Sequence, residues 1–256
     1  MTVVPVVHGD QALRAALRRG LPPHVRVRAC RSVAAVHAHL ARDVVDAVVV
    51  RPRTHDWLRE LAELSARYPR IPVVACGAFR PEDARALERA AAQGIRGLLV
   101  EGVDEPVAGA LVAAETASRV RERDLAEAPR LLRLTEPIQR RAWEEVLARV
   151  GSRTTTADIA RAVRRTREHL SREFAAGGAP NLKRVIDLVR VVCAADLLAN
   201  PGYTPPVVAG VLRFSSPSHF TQTVRRVAGA APAELARLGP RGVFQRFLRG
   251  RTRSRI

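Results

Sequence analysis

The chain has 256 residues, and its 43 arginines and lysines against 25 acidic residues give a formal net charge of +18. With 47% hydrophobic and 27% charged residues, it has the composition of a globular protein, which excludes a disordered or collagen-like chain. The length predicts two domains, each with its own core. No signal-peptide pattern is visible and no apolar run approaches the roughly 18 residues of a membrane span, so we expect a cytoplasmic protein without a transmembrane helix.

The positive charge lies mostly in the second half of the chain, since residues 1–128 carry +3 and residues 129–256 carry +15. A half this basic predicts a polyanionic partner. Double-stranded DNA is the leading candidate, and an anionic membrane surface is the competitor. All the basic residues except Lys183 are arginines. Together with the many alanines, glycines and prolines, this bias indicates a GC-rich genome before it indicates a function.

The three cysteines, Cys30, Cys76 and Cys193, are widely spaced and form no CxxC pair. This spacing argues against a disulfide framework and against a zinc site. The sequence also contains no GxGxxG motif and no P-loop, so nothing supports a nucleotide site. We therefore expect no metal, no cofactor and no catalytic residue, and we predict that the protein is not an enzyme.

Short β-branched runs recur every 21 to 25 residues in the first half, with helix-like stretches between them. This alternation predicts a five-stranded, parallel, doubly wound α/β domain over residues 1–124. A helix over 104–123 is expected to end it, followed by a linker over 125–135. The five runs are residues 3–8, 25–30, 46–51, 71–76 and 96–101.

The alternation of these runs with helical stretches resembles that of the receiver domain of bacterial response regulators. This resemblance implies a flavodoxin-like fold. Receivers carry an acidic pair after strand one, a phospho-accepting aspartate at the end of strand three, a hydroxyl after strand four and a lysine after strand five. The corresponding stretches here are His8-Gly9-Asp10, Val50-Arg51-Pro52, Cys76-Gly77 and Glu101-Gly102. Without the carboxylates the domain has nothing to hold Mg²⁺ or to accept a phosphoryl group. We therefore expect a non-phosphorylatable domain that regulates or dimerises.

The carboxyl ends of such strands form the crevice in which α/β sheets bind ligands. His8, Asp10, Arg51, Arg53 and Cys76 are predicted to lie near it. They are either ordinary strand-end residues or part of a sensor. Nearby arginines would lower the pKa of a redox-sensing Cys76, whereas a small buried hydrophobe is the favoured interpretation of this residue.

From Glu136 onward the pattern is helical. Residues 154–163 and 167–176 predict two short helices joined by a tight turn, with Thr156 and Thr166 as N-caps. This is the helix-turn-helix layout, whose second helix enters the major groove of DNA. The turn and the outward face of that helix are predicted to contact DNA through Arg164, Arg165, Thr166, Arg167, Glu168, His169, Ser171 and Arg172.

A second copy of this pattern follows over residues 207–229. Ala160 and Ala209, and likewise Thr166 and Ser215, stand 49 residues apart, and one extra residue then aligns the two second helices. The repeat predicts two recognition helices in one chain. The DNA-contacting residues of the second copy are predicted to be Arg213, Ser216, Pro217, Ser218, His219, Thr221, Gln222, Arg225 and Arg226.

A helix over residues 181–199 is predicted to join the two copies. At 1.5 Å per residue it would span about 28 Å, close to the roughly 34 Å between neighbouring major-groove faces. Such a helix could hold two recognition helices on consecutive turns of DNA. Its apolar residues form one stripe at helical spacing, made of Leu182, Val185, Ile186, Val189, Val192, Cys193 and Leu197.

Residues 136–239 resemble the DNA-binding domain of AraC/XylS-type transcriptional regulators. The stretch from Phe214 to Phe220, continued by Arg225 to Pro232, follows the signature of that family, and residues 166–174 follow its first-copy counterpart. The resemblance implies an all-α domain with two helix-turn-helix units in a bacterial transcription factor at the nucleoid. It implies DNA as the partner, RNA polymerase as a candidate partner and no membrane, and we expect a homodimer through the N-terminal domain.

The sequence departs from the family at a few positions. The usual turn glycine is Arg164 in one copy and Arg213 in the other, which means either a different turn or a positive φ that costs about 1–3 kcal/mol. Where the family usually has an arginine and a phenylalanine in the second recognition helix, this chain has Gln222 and Val224. We predict that Gln222 reads adenine. Arg225 and Arg226 are predicted to contact phosphates, and Phe214 and Phe220 to lie in the core.

Residues 240–256 are predicted to form an arginine-rich tail, either solvated or a non-specific grip on DNA. Its arginines are Arg241, Arg246, Arg249, Arg251, Arg253 and Arg255. Three other functions stay open. They are a working response regulator, a DNA-repair or modification protein that uses a cysteine, and a chromatin-like protein indifferent to DNA sequence.

Overall fold

The computed structural model describes residues 1–52, 57–175 and 178–253, which fall into two units. Unit 1 consists of Met1–Val120 with the short segment Asn200–Gly202, and unit 2 of Arg121–Ala199 and the chain from Tyr203 onward. Unit 1 contains a parallel sheet, and unit 2 is helical throughout the part that is described. The predicted fold class is confirmed.

Valine-rich runs form the strands of unit 1, because strands buried on both faces of a parallel sheet need apolar residues at every position. The third predicted run, 46–51, contains one strand at Val48–Val50, and an additional short strand at Val44–Val45 precedes it, so the described residues form six strands and not five. The strands are β1 (Thr2–Val7), β2 (Val25–Ala29), β3 (Val44–Val45), β4 (Val48–Val50), β5 (Val73–Gly77) and β6 (Ile95–Val100).

The helices of this region are α1 (Gln11–Gly20), α2 (Val33–Leu40), α3 (Trp57–Arg67), α4 (Ala84–Ala92), α5 (Ala108–Glu115) and α6 (Ala117–Asp124). The last two replace the single helix predicted over 104–123. A distant cap explains the break at Thr116: the Asp46 carboxylate accepts a hydrogen bond from the Ser118 backbone N–H at 2.8 Å and another from its hydroxyl. The carbonyl of Asp46 also accepts from the N–H of Ala117, at 2.9 Å.

The strand order is β2-β1-β4-β5-β6, with β3 also paired to β1. The chain therefore runs from β1 outward to the edge strand β2, and then from β4, on the other side of β1, outward to the opposite edge strand β6. This is the order of flavodoxin-like sheets. Right-handed crossovers then place α1 on the opposite face from α2, α3 and α4. The carboxyl ends of β1 and β4 lie at the point where the order reverses.

Helices α1 and α5 contact each other backbone to backbone at Gly20 and Gly109. A Cβ atom on Gly20 would lie 2.7 Å from the Cα of Gly109, and a Cβ on Gly109 would lie 2.5 Å from the Cα of Gly20. Real Cβ atoms do not approach backbone this closely, so glycine is required on both sides of the crossing.

The helices of unit 2 are α7 (Ala128–Leu131), α8 (Pro137–Ala148), α9 (Thr156–Ala162), α10 (Arg167–Ala175), α11 (Leu182–Leu198), α12 (Pro205–Val211), α13 (Pro217–Ala228) and α14 (Leu235–Arg253). Helix α11 lies in the centre and contacts α8, α9, α12, α13 and α14. Asn181 caps it by accepting a hydrogen bond from the N–H of Arg184 at 2.9 Å.

The predicted apolar stripe of α11 is too narrow. All seven of its residues are buried, and so are Leu188, Val191, Ala194, Ala195 and Leu198. A helix that is buried on every side along most of its length belongs in the centre of a bundle and not on its surface. Near its N-terminus, Lys183 is exposed and Arg184 is half-buried.

The predicted linker and the predicted tail both contain helix with buried residues in or beside it. Within 125–135, Leu125, Leu132 and Leu134 are buried around α7. From 240 onward the chain continues α14 after an interruption at Gly239, where φ is 62°. Val243, Phe244 and Phe247 of α14 are buried in this helix, which contacts α11. Of the tail arginines, Arg255 and the side chains of Arg251 and Arg253 lie outside the described residues. The domain boundaries stay predictions.

Candidate nucleic-acid interface

The first helix-turn-helix unit consists of α9, a short turn and α10. Its cap is Thr155 and not the predicted Thr156: the Thr155 hydroxyl accepts from the N–H of Asp158 at 3.2 Å, and the Asp158 carboxylate accepts from the N–H of Thr155 at 2.9 Å. Hydrogen bonds from Thr155 hold the pKa of Asp158 below its ordinary value. The second predicted cap is confirmed, since the Thr166 hydroxyl accepts from the N–H of His169 at 3.2 Å.

Both turns contain an arginine in the left-handed region, Arg164 at φ 56° and Arg213 at φ 58°. The residue after each arginine donates its N–H back to the preceding helix. Arg165 donates to the carbonyl of Ala160 at 2.9 Å, and Phe214 donates to that of Ala209, also at 2.9 Å. The two turns therefore have the same backbone structure. Of the two alternatives for the positions where the family usually has glycine, a different turn or a strained positive φ, the positive φ is the correct one.

The extra residue of the second copy is Ser215. The cap of α13 is Ser216, whose hydroxyl accepts from the N–H of His219 at 3.0 Å. This bond matches the one between Thr166 and His169, so Thr166 corresponds to Ser216 and its alignment with Ser215 is wrong. The spacing changes from 49 to 50 inside the turn, before the cap, because both helices must begin on a capping hydroxyl.

The predicted contacts of the first copy are surface residues, except His169, which is half-buried and lies 3.6 Å from the Glu173 carboxylate. Most of them line one open cleft of about 720 Å³, together with Arg161, which the sequence interpretation missed. Those residues are Arg164, Arg165, Thr166, His169 and Arg172. Arg167 and Ser171 line a different cleft with Arg226. Glu168 is exposed and lines neither.

The predicted contacts of the second copy follow the same pattern. His219 and Thr221 are half-buried, while Arg213, Ser216, Pro217, Ser218, Gln222, Arg225 and Arg226 are exposed. The Nδ1 atom of His219 lies 2.9 Å from the Ser215 hydroxyl, and the hydroxyl of Thr221 donates to the carbonyl of Pro217 at 3.1 Å. The two side chains are thus oriented by local hydrogen bonds. Phe214 and Phe220 are buried, as predicted.

Residues 159–238 match a family model described as a helix-turn-helix domain. The matched segment contains both turns and the helix between them. The chain carries an AraC-type helix-turn-helix domain. The predicted resemblance is confirmed, and the AraC-type domain supports a DNA-binding transcriptional regulator. A comparison with curated proteins gives no match.

Beneath its second turn, the AraC-type domain holds a buried cation that the sequence interpretation missed. Arg190 of α11 donates to the carbonyl of Leu212 at 2.7 Å, and its guanidinium lies 3.8 Å from the centre of the Phe214 ring. Burial lowers the pKa of Arg190, and the charge of Asp187 partly offsets this effect. In the sequence, the signal that could have indicated this buried cation is a single arginine within an apolar stretch.

A second charged group ties α11 to α13 within the AraC-type domain. The Asp187 side chain is only 3% exposed, and its Oδ2 atom lies 2.8 Å from an Arg226 nitrogen and 3.6 Å from the Lys183 ammonium. Arg226, predicted as a phosphate contact, is therefore held by a carboxylate. Asp187 and Lys183 lie in α11, which the sequence interpretation treated only as a spacer.

The sheet crevice of unit 1 contains charges, but not those of a receiver. Arg51 at the end of β4 pairs with Glu101 after β6 at 2.8 Å, and His8 Nε2 lies 4.0 Å from the same carboxylate. Asp10 caps α1 and donates its N–H to His8. Arg53 lies outside the described residues. The unit is consistent with a receiver-like domain.

Cys76 has the environment of a core residue. It is 1% exposed, and burial, reinforced by the charges of Glu101 and Glu105, raises its pKa to about 12. The charge of Arg51 acts in the opposite direction but is outweighed. Cys30 and Cys193 are buried too. A protonated, buried thiol is a poor nucleophile and a poor redox sensor.

Two features are absent from the described residues. No group of histidine, cysteine, aspartate and glutamate side chains among them is arranged to hold a metal ion. Likewise, none of the described helices is long and apolar enough to cross a membrane.

Proposed function

We propose that the protein is a sequence-specific transcriptional regulator that inserts α10 and α13 into adjacent major grooves of double-stranded DNA. The observation that carries the proposal is the repeated turn, with arginines at φ 56° and 58° and the same hydrogen bond 49 residues apart. The 17 residues of α11 span about 26 Å. That length is compatible with two recognition helices on consecutive turns of one DNA face.

The predicted contact residues divide into two roles. The arginines at the turns and at the end of α13 are suited to phosphates, which fix the register of a protein on DNA without reading its sequence. The outward side chains of the two recognition helices are suited to base edges. Gln222 is exposed on α13 and is proposed to read adenine through N6 and N7.

Unit 1 is proposed to regulate or to dimerise, without phosphorylation. Where a receiver accepts a phosphoryl group, this unit has Arg51, already paired with Glu101. Acetyl phosphate is expected to leave the protein unlabelled, and stable labelling would favour the response-regulator alternative. The buried state of Cys76 likewise gives the repair or modification alternative no reactive thiol.

A second copy of the chain is the proposed partner of unit 1. Exposed large apolar residues are concentrated along the edge strand β6 and the segment after it, at Leu98, Val100, Val103, Val107 and Leu111. A free apolar strand edge favours pairing with another strand, and a two-fold axis would bring two β6 strands together. Val103→Asp is expected to convert a dimer into a monomer in sedimentation.

RNA polymerase is a further proposed partner, because a regulator acts on transcription through it. The site of action would be the cytoplasmic nucleoid, and the proposed activity forms and breaks no covalent bond.

The test is a comparison of affinities for a selected genomic site and for the same bases scrambled. We expect a ratio of at least about 10³ and a footprint covering two adjacent major grooves on one face. Arg172→Ala should weaken protection of one groove and Gln222→Ala of the other, with the exposed Arg18→Ala in α1 as the control. A ratio near one would favour the sequence-indifferent binder and overturn the proposal.

A further inference from the structure

A cleft of about 400 Å³ opens between the two recognition helices and the start of α11. Arginines from both recognition helices, Arg167 of α10 and Arg226 of α13, lie on its walls, with Lys183 and Arg184 of α11 beside them. Asp187 contributes the single carboxylate, so four cations and one anion line a space that is large enough for a phosphate group.

Asp187 is placed to organise this cleft and not to neutralise it. Its side chain is 3% exposed, whereas those of Arg226 and Lys183, which it contacts, are 54% and 64% exposed. The carboxylate therefore holds two cationic groups whose remaining N–H donors face outward. Arg184 is held separately, with its guanidinium 5.2 Å from the centre of the Phe247 ring.

Lys183 stands out because every other basic residue of the chain is an arginine. A guanidinium is a wide planar fork, while an ammonium is compact and donates in three directions. At Asp187, where Arg226 already occupies the same oxygen, an ammonium needs less room than a second guanidinium. The local geometry thus accounts for a lysine at this position.

We propose that this cleft binds a phosphodiester group of the DNA strand that passes between the two major grooves. The inference rests on the proposed function and adds a contact from the linking helix, which reads no base. Lys183, Arg184 and Arg226 donate to the phosphate oxygens, and the N-terminus of α11 adds a favourable dipole. Asp187 is a positioning residue that keeps two of these donors in place.

The first test uses the lone lysine, since an amine-selective acetylating reagent modifies only Lys183 and the α-amino group. The full chain is acetylated alone, with its selected duplex and with inorganic phosphate at equal ionic strength. We expect the duplex to slow acetylation of Lys183 severalfold relative to the α-amino group, and phosphate to have little effect. Unchanged acetylation in a formed complex would overturn the proposal. Equal protection by phosphate would assign the cleft to free anions and would also overturn it.

The second test measures the salt dependence of DNA affinity. Lys183→Ala should reduce the slope of log affinity against log salt by about one and weaken selected and scrambled DNA equally, as expected for a phosphate contact. The loss should be about fivefold, and Lys183→Arg should restore the slope. Arg19→Ala removes the same charge from α1 and should change neither quantity.

The outcomes separate this proposal from the proposed function. Specific binding by the parent with an unchanged slope for Lys183→Ala would overturn the cleft and leave the regulator intact. Failure of the parent to prefer its selected site would overturn both. Asp187→Asn adds a third measurement: a positioning role predicts a smaller salt slope, although the substitution removes a negative charge.

Discussion

Unit 1 keeps the strand order of a flavodoxin-like sheet while its crevice carries the ion pair between Arg51 and Glu101. Unit 2 keeps the backbone geometry of two turns together with exposed polar and basic side chains on the helices that follow them. A strand order by itself therefore does not indicate function, because the same sheet topology can carry different side chains at its crevice. In unit 2, by contrast, the turns and the exposed side chains beside them are themselves the basis of the proposed function.

The largest loss of stability is expected when the support beneath the second turn is removed. Arg190→Met removes the hydrogen bond to the Leu212 carbonyl and the contact with Phe214, and should lower the free energy of unfolding by about 3 kcal/mol. Arg161→Met, at an exposed position near the end of α9, should cost less than about 0.5 kcal/mol. Urea unfolding of both variants measures the difference. Equal losses would show that the two turns are supported alike.

A second prediction concerns the crevice of unit 1 at alkaline pH. The Cys76 thiol has an ordinary pKa of 9.0, and burial raises it to about 12 in the folded protein. Above pH 9 the unfolded chain ionises at Cys76 while the folded chain does not, so stability should fall by about 1.4 kcal/mol per pH unit until the folded thiol also ionises. Cys76→Ala should remove this slope. Parallel stability curves for parent and variant between pH 8 and about 10 would contradict the prediction.

Substitution of the turn arginines should stabilise unit 2. Arg164→Gly or Arg213→Gly relieves a positive φ and should raise the free energy of unfolding by about 1 kcal/mol, after allowance for the extra freedom of glycine in the unfolded chain. Each variant should nevertheless bind DNA more weakly, because a cation is lost beside the recognition helix. Gly210→Ala, in the helix before the second turn, is a control whose Cβ meets nothing within 4 Å. A destabilised Arg213→Gly would contradict the strain argument.

The smallest effect is expected at the ion pair of the crevice. Arg51 and Glu101 are partly exposed, at 36% and 25%, so Glu101→Gln should cost about 0.5 kcal/mol. Glu82→Gln, whose partner Arg80 lies 3.9 Å away on the surface, should cost nothing measurable. Thermal unfolding compares the two. A loss above about 2 kcal/mol at Glu101 would mean that the pair, and not the sheet, maintains the crevice.

Much of the fold was predictable because its signals are local. Valine runs predict buried parallel strands, and capping hydroxyls predict the starts of helices, as at Thr166. The repeat was visible because both turns use an arginine at the same spacing from an alanine, Ala160 in one copy and Ala209 in the other. The exposed positions of the candidate contact residues follow from helical periodicity once the caps are known.

The features that sequence did not predict depend on distant partners. Asp46 lies between β3 and β4 and caps a helix at Ser118, 72 residues later. Arg190 supports a turn 22 residues away, and Asp187 holds Arg226 at a separation of 39 residues. No periodicity within one segment records such contacts, because each side chain alone is compatible with an exposed position.

The glycine crossing of α1 and α5 has a consequence for folding during synthesis. Gly20 in α1 precedes its partner Gly109 in α5 by 89 residues, so α1 leaves the ribosome well before α5 does. Contacts so far apart in sequence slow the closure of a domain, since the loop must lose its entropy before the contact forms. Apolar surface of β1 and α1 therefore stays uncovered until α5 has been synthesised. This interval is when the nascent chain is most exposed to aggregation.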